Sequence, residues 1–187
     1  MKKIMLIFGI LLFTYASAQR TISLEEETNY LTTGDKKVPE DVSYVKDING
    51  VFDKYTGVWN GNINGNTIEF RFNKITVGDN SFKRDKVIAR IFAKDVNGNV
   101  LYNTLNDSDS KAFQGVDFSK NMKIYSMIYE GPKSIDCNEV GFIYILNNNG
   151  VLRLKFIADT DMLKANQCPQ GYKFLIPDDT TITLTKQ

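Results

Sequence analysis

The sequence contains no histidine at all. This absence removes the Ser-His-Asp and Cys-His arrangements of nucleophilic catalysis, histidine-ligated zinc, and the usual proton shuttle at neutral pH. The chain therefore offers few routes to enzyme chemistry. We expect a protein that is not an enzyme and that requires neither a metal ion nor another cofactor.

The chain also lacks a clear excess of charge of either sign. Without the two lysines of the N-terminal leader described below, 21 basic side chains remain against 22 acidic ones, which gives a net charge of −1. This balance argues against nucleic acid as a partner, because nucleic-acid binding needs a basic surface. It also argues against a strong electrostatic attraction to anionic lipid.

Cysteine is scarce, with only Cys137 and Cys168. In an oxidising compartment an even number of cysteines indicates a disulfide, which here would join these two. Closing a loop of about 30 residues stabilises a fold by roughly 3–4 kcal/mol when chain entropy alone is considered. Two free thiols, one of them reactive, are the alternative.

An apolar run long enough to span a bilayer is missing, but a short one follows the charged N-terminus. Residues 1–18 have the three parts of a signal peptide: the basic Lys2 and Lys3, an apolar stretch over 4–13, and an Ala-Ser-Ala site. We expect cleavage between Ala18 and Gln19. The leader is bacterial in style, and no cysteine follows it for lipid attachment, so the predicted destination is the periplasm or the medium.

The strongest strand pattern follows the only tryptophan. Ile68, Phe70 and Phe72 alternate with polar residues and so point to one face of a strand. Asn64 and Gly65 suit a two-residue type I′ hairpin, since both tolerate a positive φ. We predict further strands, separated by turn signals, at residues 85–94, 100–105, 122–129, 140–146, 151–157, 172–177 and 181–185.

These eight or nine short strands, without a convincing long helical period, indicate an antiparallel all-β fold. We predict an up-and-down β-barrel over residues 50–187, because consecutive hairpins give this topology most simply and closure removes exposed sheet edges. A β-sandwich is the alternative. Residues 19–49 are interpreted as a polar N-terminal arm, in which the acidic triplet at 25–27 is solvated.

The segment around Trp59 resembles the signature that opens lipocalin-type barrels. In that family an aromatic residue precedes Gly-x-Trp, and the tryptophan closes the barrel floor. The family also has an apolar-Asp pair before the aromatic residue, here Phe52 and Asp53, although the spacing from Phe52 to Gly57 is shorter than usual. Tyr55, Gly57 and Trp59 match the rest of the pattern, and the last strand offers Lys186 in place of the arginine that normally packs over the tryptophan. The resemblance implies that Gly57 and Trp59 are structural residues; a stacking platform for a ligand is the alternative for Trp59.

Most of the mature chain also resembles a group of small exported bacterial proteins of unknown function. These proteins share a leader, a Lys-Tyr-x-Gly-x-Trp opening, a late Cys-Pro loop and a Leu-x-x-Thr-Lys-Gln-like end. The matching residues here are 54–59, 168–169 and 184–187. The resemblance supports the expected fold and compartment and implies no activity.

An eight-stranded barrel can hold one small molecule in a mostly apolar site. Our first hypothesis is therefore a lipocalin-like binding protein for a small apolar ligand. The alternative for its aromatic residues is that they simply fill the core. The candidate lining residues are Phe70, Phe72, Phe92, Tyr102, Tyr125 and Tyr144.

Two other functions remain open. The first is a secreted or surface module that binds a protein or a glycan, which would require a contiguous exposed aromatic patch. The second is a glycosidase that uses a carboxylate pair, for which Glu69, Glu130 and Glu139 are the candidates. That chemistry needs two carboxylates about 5–10 Å apart.

Overall fold

The computed structural model describes residues 20–33, 37–133, 138–159 and 172–187. These parts of the chain form eleven strands and one helix, α1 (Leu24–Thr32). The strands are β1 (Arg20–Ser23), β2 (Val42–Lys46), β3 (Gly57–Ile63), β4 (Asn66–Gly78), β5 (Lys83–Lys94), β6 (Val100–Asn103), β7 (Phe113–Phe118), β8 (Ile124–Lys133), β9 (Asn138–Asn148), β10 (Val151–Ala158) and β11 (Thr181–Lys186).

Eight of these strands close into an up-and-down barrel. In the series β3, β4, β5, β7, β8, β9, β10 and β11, each strand pairs antiparallel with the next. The last strand returns to the first, with Lys186 opposite Trp59 and Thr185 opposite Asn60. The predicted antiparallel barrel is confirmed, and β1, β2 and β6 lie outside its closed path.

Two tight hairpins have the backbone geometry that their sequences predict. Asn64 and Gly65 have φ values of 51° and 85°, and Asn149 and Gly150 have 51° and 83°. Positive φ at both central residues is what a two-residue type I′ turn requires. Because the first hairpin follows β3 and Trp59 lies near the start of that strand, the two mark opposite ends of the barrel. We call the Trp59 end the floor and the other end the mouth.

Trp59 closes the floor as a buried core residue. Its Nε1 donates a hydrogen bond of 2.7 Å to the carbonyl oxygen of Tyr55. Lys186 Nζ lies 5.5 Å from the centroid of the indole, within the range of a cation–π contact. Gly57 has a φ of 116°, and a Cβ at this position would lie 2.9 Å from Lys186 Cε. Only glycine suits both this backbone conformation and this space.

Aromatic side chains fill the interior between floor and mouth. Near the floor, the ring centroids of Phe52 and Tyr125 are 5.2 Å apart in an edge-to-face arrangement. Near the mouth, the rings of Tyr129 and Phe156 are 5.1 Å apart in the same arrangement. Such pairs add to the free energy gained by burying their apolar area. The described strands therefore enclose a packed core.

Residues 20–46 differ from the solvated arm that their polarity predicts. β1 and β2 pair in parallel, and β2 extends the sheet at the start of β5. Ile22 and Val45 are buried against the barrel. Glu27, expected in solvent, is also buried, with its Oε2 3.0 Å from Arg84 Nη2. The barrel wall supplies the apolar surface against which these residues pack and the guanidinium of Arg84 that pairs with Glu27.

Two other stretches depart from the predicted strands. β7 lies within a segment that the sequence indicates to be a long loop, and it completes the barrel by joining β5 to β8. Conversely, residues 172–177 do not form the predicted strand. In this segment the amide of Leu175 donates a hydrogen bond of 2.8 Å to the side-chain carboxylate of Glu139 and not to the backbone of a neighbouring strand.

Candidate ligand site at the barrel mouth

Three of the six predicted lining residues belong to the packed core. Phe70, Phe72 and Tyr125 are all buried. The first two rings stack on each other with centroids 5.6 Å apart. The hydroxyl of Tyr125 accepts a hydrogen bond from the amide of Val87 at 3.2 Å. These side chains fill space inside the barrel, as the alternative interpretation of the sequence predicts.

Of the other three, Phe92 and Tyr144 lie on the outside of the barrel, whereas Tyr102, on β6 beside the closed path, is partly buried against the core. Phe92 is half-buried, with Lys94 Nζ 5.0 Å from its ring centroid. The hydroxyl of Tyr102 donates to the carbonyl oxygen of Glu130 at 3.2 Å. Tyr144 is exposed on β9. The six residues therefore do not form one site, and the outward-facing Phe92 and Tyr144 do not line the barrel interior.

A cleft of about 530 Å³ lies at the mouth. Its walls come from the β3–β4 turn, from β6, from the adjoining ends of β8 and β9, and from the segment before β11. We call it the mouth cleft, and it is lined by Asn64, Asn66, Leu101, Pro132, Glu139, Tyr172, Lys173, Phe174 and Leu175. This volume falls within the range of about 300–1,000 Å³ that is typical of small-molecule sites.

Glu139 lies at the bottom of the mouth cleft. It precedes the inward-facing Ile143 and Ile145 on β9 by an even number of residues, so its side chain also faces the barrel interior. Only 1% of the residue is exposed to solvent. The carboxylate therefore lies where the closed core meets the cleft.

Neutral donors surround this carboxylate. Its Oε1 accepts hydrogen bonds from the amide of Leu175 at 2.8 Å and from the hydroxyl of Tyr172 at 3.1 Å. Its Oε2 accepts one from the hydroxyl of Tyr129 at 3.3 Å. Among the residues that the structure describes, no lysine or arginine forms an ion pair with Glu139. None of these three donors carries a positive charge.

Burial raises the pKa of Glu139 above its ordinary value, although the hydrogen bonds from Leu175, Tyr172, Tyr129 and the amide of Ile176 oppose this effect. Burial also raises the pKa of Tyr172 to about 12 and that of Tyr129 well above 10, and the adjacent carboxylate adds to both shifts. Both hydroxyls consequently stay protonated at neutral pH and remain donors.

Gly131 provides the space for this arrangement on β8. A Cβ at this inward-facing position would lie 2.5 Å from the hydroxyl oxygen of Tyr129 and 2.8 Å from Glu139 Oε2. Both distances are shorter than real Cβ contacts allow. Gly131, Tyr129 and Tyr172 are not among the site residues that the sequence predicts. The available signal was the two-residue spacing that puts Tyr125, Tyr129 and Gly131 on one face of β8.

The three carboxylates proposed for glycosidase chemistry do not converge. Glu69 lies in β4, and its Oε1 is 2.6 Å from Nε of the exposed Arg71. Glu130 is exposed beside Lys133 on β8 and is paired with Val140, so it faces away from the interior that Glu139 faces. These acids therefore do not supply the carboxylate pair of that mechanism. The described segments also contain no group of three or more acidic, His or Cys side chains that could hold a metal ion.

An exposed apolar surface covers part of the outside of β8 and β9. Its four large side chains are each 37–40% exposed, and the pairing of Ile128 with Phe142 makes it continuous across both strands. The rings of Phe142 and Tyr144 have their centroids 6.4 Å apart. We call this surface the outer β8–β9 face, and it consists of Ile124, Ile128, Phe142 and Tyr144.

Two predictions lie outside the described residues. These are the signal peptide at residues 1–18 and the disulfide between Cys137 and Cys168. No helix in the described ranges is both long enough and apolar enough to cross a membrane.

Comparison with protein-family models, with curated proteins and with solved structures found no match for the chain.

Proposed function

We propose that the chain is an exported, non-catalytic binding protein that holds a small ligand with a largely apolar body in the mouth cleft. The observation that carries this proposal is the position of Glu139, a buried carboxylate at the bottom of a cleft of about 530 Å³. Small-molecule sites combine mostly apolar walls with a few polar groups that orient the ligand. Export is inferred from the leader sequence alone.

The walls of the mouth cleft suit such a ligand. Leu101, Pro132 and Phe174 supply apolar surface, and Asn64 and Asn66 supply amides at the turn. The barrel interior below the cleft is filled by aromatic and other apolar side chains, so the ligand would bind at the mouth and not deep inside the barrel. This location differs from the internal cavity that the lipocalin resemblance implies.

Native mass spectrometry of the protein purified from its own host tests this proposal. We expect the wild-type protein to carry a small molecule. Leu101→Trp, which fills the cleft, should abolish the co-purification. Val100→Trp adds the same ring at the neighbouring position of β6, which does not line the cleft, and is the matched control. Repeated preparations of the wild-type protein without any bound molecule would refute the proposal.

A second candidate function is a module that binds a partner protein through the outer β8–β9 face. It is favoured by the two aromatic and two aliphatic side chains exposed together on paired strands. Aromatic residues are enriched in the cores of protein interfaces. A photo-crosslinking residue at Ile128 should then give one discrete protein adduct in the producing cells. The same residue at the exposed Val96, in the β5–β6 turn, should give none, and equal labelling at both positions would exclude this function.

A further inference from the structure

We infer that the ligand of the mouth cleft carries a protonated amine and that Glu139 is its counter-ion. This inference rests on the proposed function and specifies the chemistry of the ligand. Under this inference, Glu139 makes the cleft select positively charged molecules over neutral or negatively charged molecules of the same size.

The charge of Glu139 is the first support. The three groups that donate hydrogen bonds to it at defined distances, Tyr129, Tyr172 and the amide of Leu175, are all neutral. Within the described part of the chain no cationic side chain pairs with it. Buried charges in proteins are normally paired, because an isolated charge loses its hydration without compensation. A cationic ligand would supply the missing partner.

The two carboxylate oxygens differ in how fully they are used. Oε1 accepts from Leu175 and Tyr172, whereas Oε2 accepts from a single described side chain, Tyr129, over the longer distance of 3.3 Å. An ionised carboxylate has about four acceptor sites. With the amide of Ile176 included, four protein donors use these sites, so an ammonium group would have to compete for one of them. The long hydrogen bond from Tyr129 to Oε2 is the one that it would displace most easily.

The surroundings favour an organic amine over a metal ion. Calcium needs six to eight oxygen ligands, whereas Glu139 is the only carboxylate among the described residues that line the cleft. Tyr172 and Phe174 lie edge to face, with centroids 5.6 Å apart, and aromatic faces attract ammonium groups. Lys173 also lines the cleft, but it is exposed to water, which screens its charge more strongly than that of the buried carboxylate.

Calorimetric titration with three probes of matched size tests this inference. The probes are 2-phenylethylamine, 2-phenylethanol and phenylacetate, each titrated into the full mature protein at neutral pH. We expect the amine to bind at least about tenfold more tightly than the alcohol, because a hydrogen bond to a charged group is stronger than one between neutral groups. Phenylacetate should bind most weakly, because its carboxylate would be placed beside Glu139.

Variants identify the group that is responsible. Glu139→Gln should remove the preference for the amine and leave the affinity for the alcohol within about threefold. Glu130→Gln removes the same charge from the exposed neighbouring strand and should keep the preference. Tyr172→Phe removes a hydrogen bond that lowers the pKa of Glu139, so the preference for the amine should set in at higher pH than in the wild-type protein. This shift is the test if Glu139→Gln does not fold, and an unchanged pH dependence of the preference would then overturn the role of Glu139.

The outcomes separate this inference from the proposed function. Equal binding of amine and alcohol to the wild-type protein, or an amine preference that survives in Glu139→Gln, would overturn the role of Glu139 while leaving the cleft as a binding site. If the wild-type protein bound none of the three probes, the inference about amines would fail. A molecule retained in native mass spectrometry would in that case still support the proposed function.

Discussion

Trp59 shows how a single side chain joins the first and last strands of the barrel. Its indole is hydrogen-bonded to Tyr55 in the preceding turn and is covered by Lys186 of β11. The tryptophan could be predicted as a core residue, because a lone tryptophan beside a glycine is typical of one. Lys186 could be expected over the ring only from the lipocalin resemblance.

We therefore predict that Trp59→Ala lowers the free energy of unfolding by about 3–5 kcal/mol, through lost burial and the cavity that remains. Lys186→Ala removes only the exposed cation–π contact and should cost less than about 1 kcal/mol. Urea denaturation followed by circular dichroism measures both values. Equal losses in the two variants would contradict the assignment of Trp59 to the core of the floor.

Glu139 gives the fold a specific dependence on pH. Its pKa is raised in the folded protein, so the ionised form is less favourable there than in the unfolded chain. The free energy of unfolding therefore increases as the pH falls through the pKa of Glu139 in the folded protein towards its ordinary pKa in the unfolded chain. The hydroxyls of Tyr129 and Tyr172 remain protonated throughout this range.

The wild-type protein should therefore gain stability relative to Glu139→Gln between neutral pH and about pH 4. Urea midpoints of both proteins across this range measure the difference. Glu130→Gln controls for the loss of one negative charge. A stability difference that stays constant, or a wild-type protein that loses stability relative to Glu139→Gln on acidification, would contradict the raised pKa of Glu139 in the fold.

At the scale of elements, the strands with clear alternation or a clear hairpin signal were predictable. β10 is predicted almost to the residue, since Leu152, Leu154 and Phe156 face the core and Arg153 and Lys155 face solvent. β7 was not predictable. Its short sequence contains a glycine and an aspartate, and one of its two partners, β5, is not its neighbour in the chain order.

The N-terminal elements were missed for a related reason. β1, α1 and β2 are short and polar, and they are held by partners in the barrel. Asp85 of β5 accepts hydrogen bonds from the hydroxyl of Tyr44 at 2.8 Å and from the amide of Asp47 at 2.9 Å. Burial opposes ionisation of Asp85, but these donors and Thr76 outweigh it, and its pKa is lowered.

Asp85→Ala should detach this N-terminal unit from the barrel. We expect a loss of about 2–3 kcal/mol, because the buried amide of Asp47 and the hydroxyl of Tyr44 lose a charged acceptor. Asp53→Ala removes an exposed carboxylate that lies 3.5 Å from Lys74 and should cost less than about 1 kcal/mol. Hydrogen exchange should show faster opening at residues 42–46 in Asp85→Ala alone. Unchanged protection there would argue against this attachment.

At the scale of the whole molecule, the closed barrel follows from the order of hairpins, and the sequence predicts it. The site does not follow from that order. Glu139, Tyr129 and Tyr172 meet only because β8 and β9 pair in one register and the segment before β11 crosses the mouth. Apolar residues occur on both faces of β9, so alternation alone does not show which face of the strand Glu139 occupies.

The central claim is that the ligand binds at the mouth, beside Glu139. Amide chemical shifts of the isotope-labelled protein, recorded during titration with 2-phenylethylamine, test this claim most directly. We predict that the largest changes occur at Glu139, Leu175 and Phe174, while the indole Nε1 of Trp59 at the floor is unaffected. Changes confined to Phe142 and Tyr144 on the outer β8–β9 face, with none at the mouth, would contradict the account.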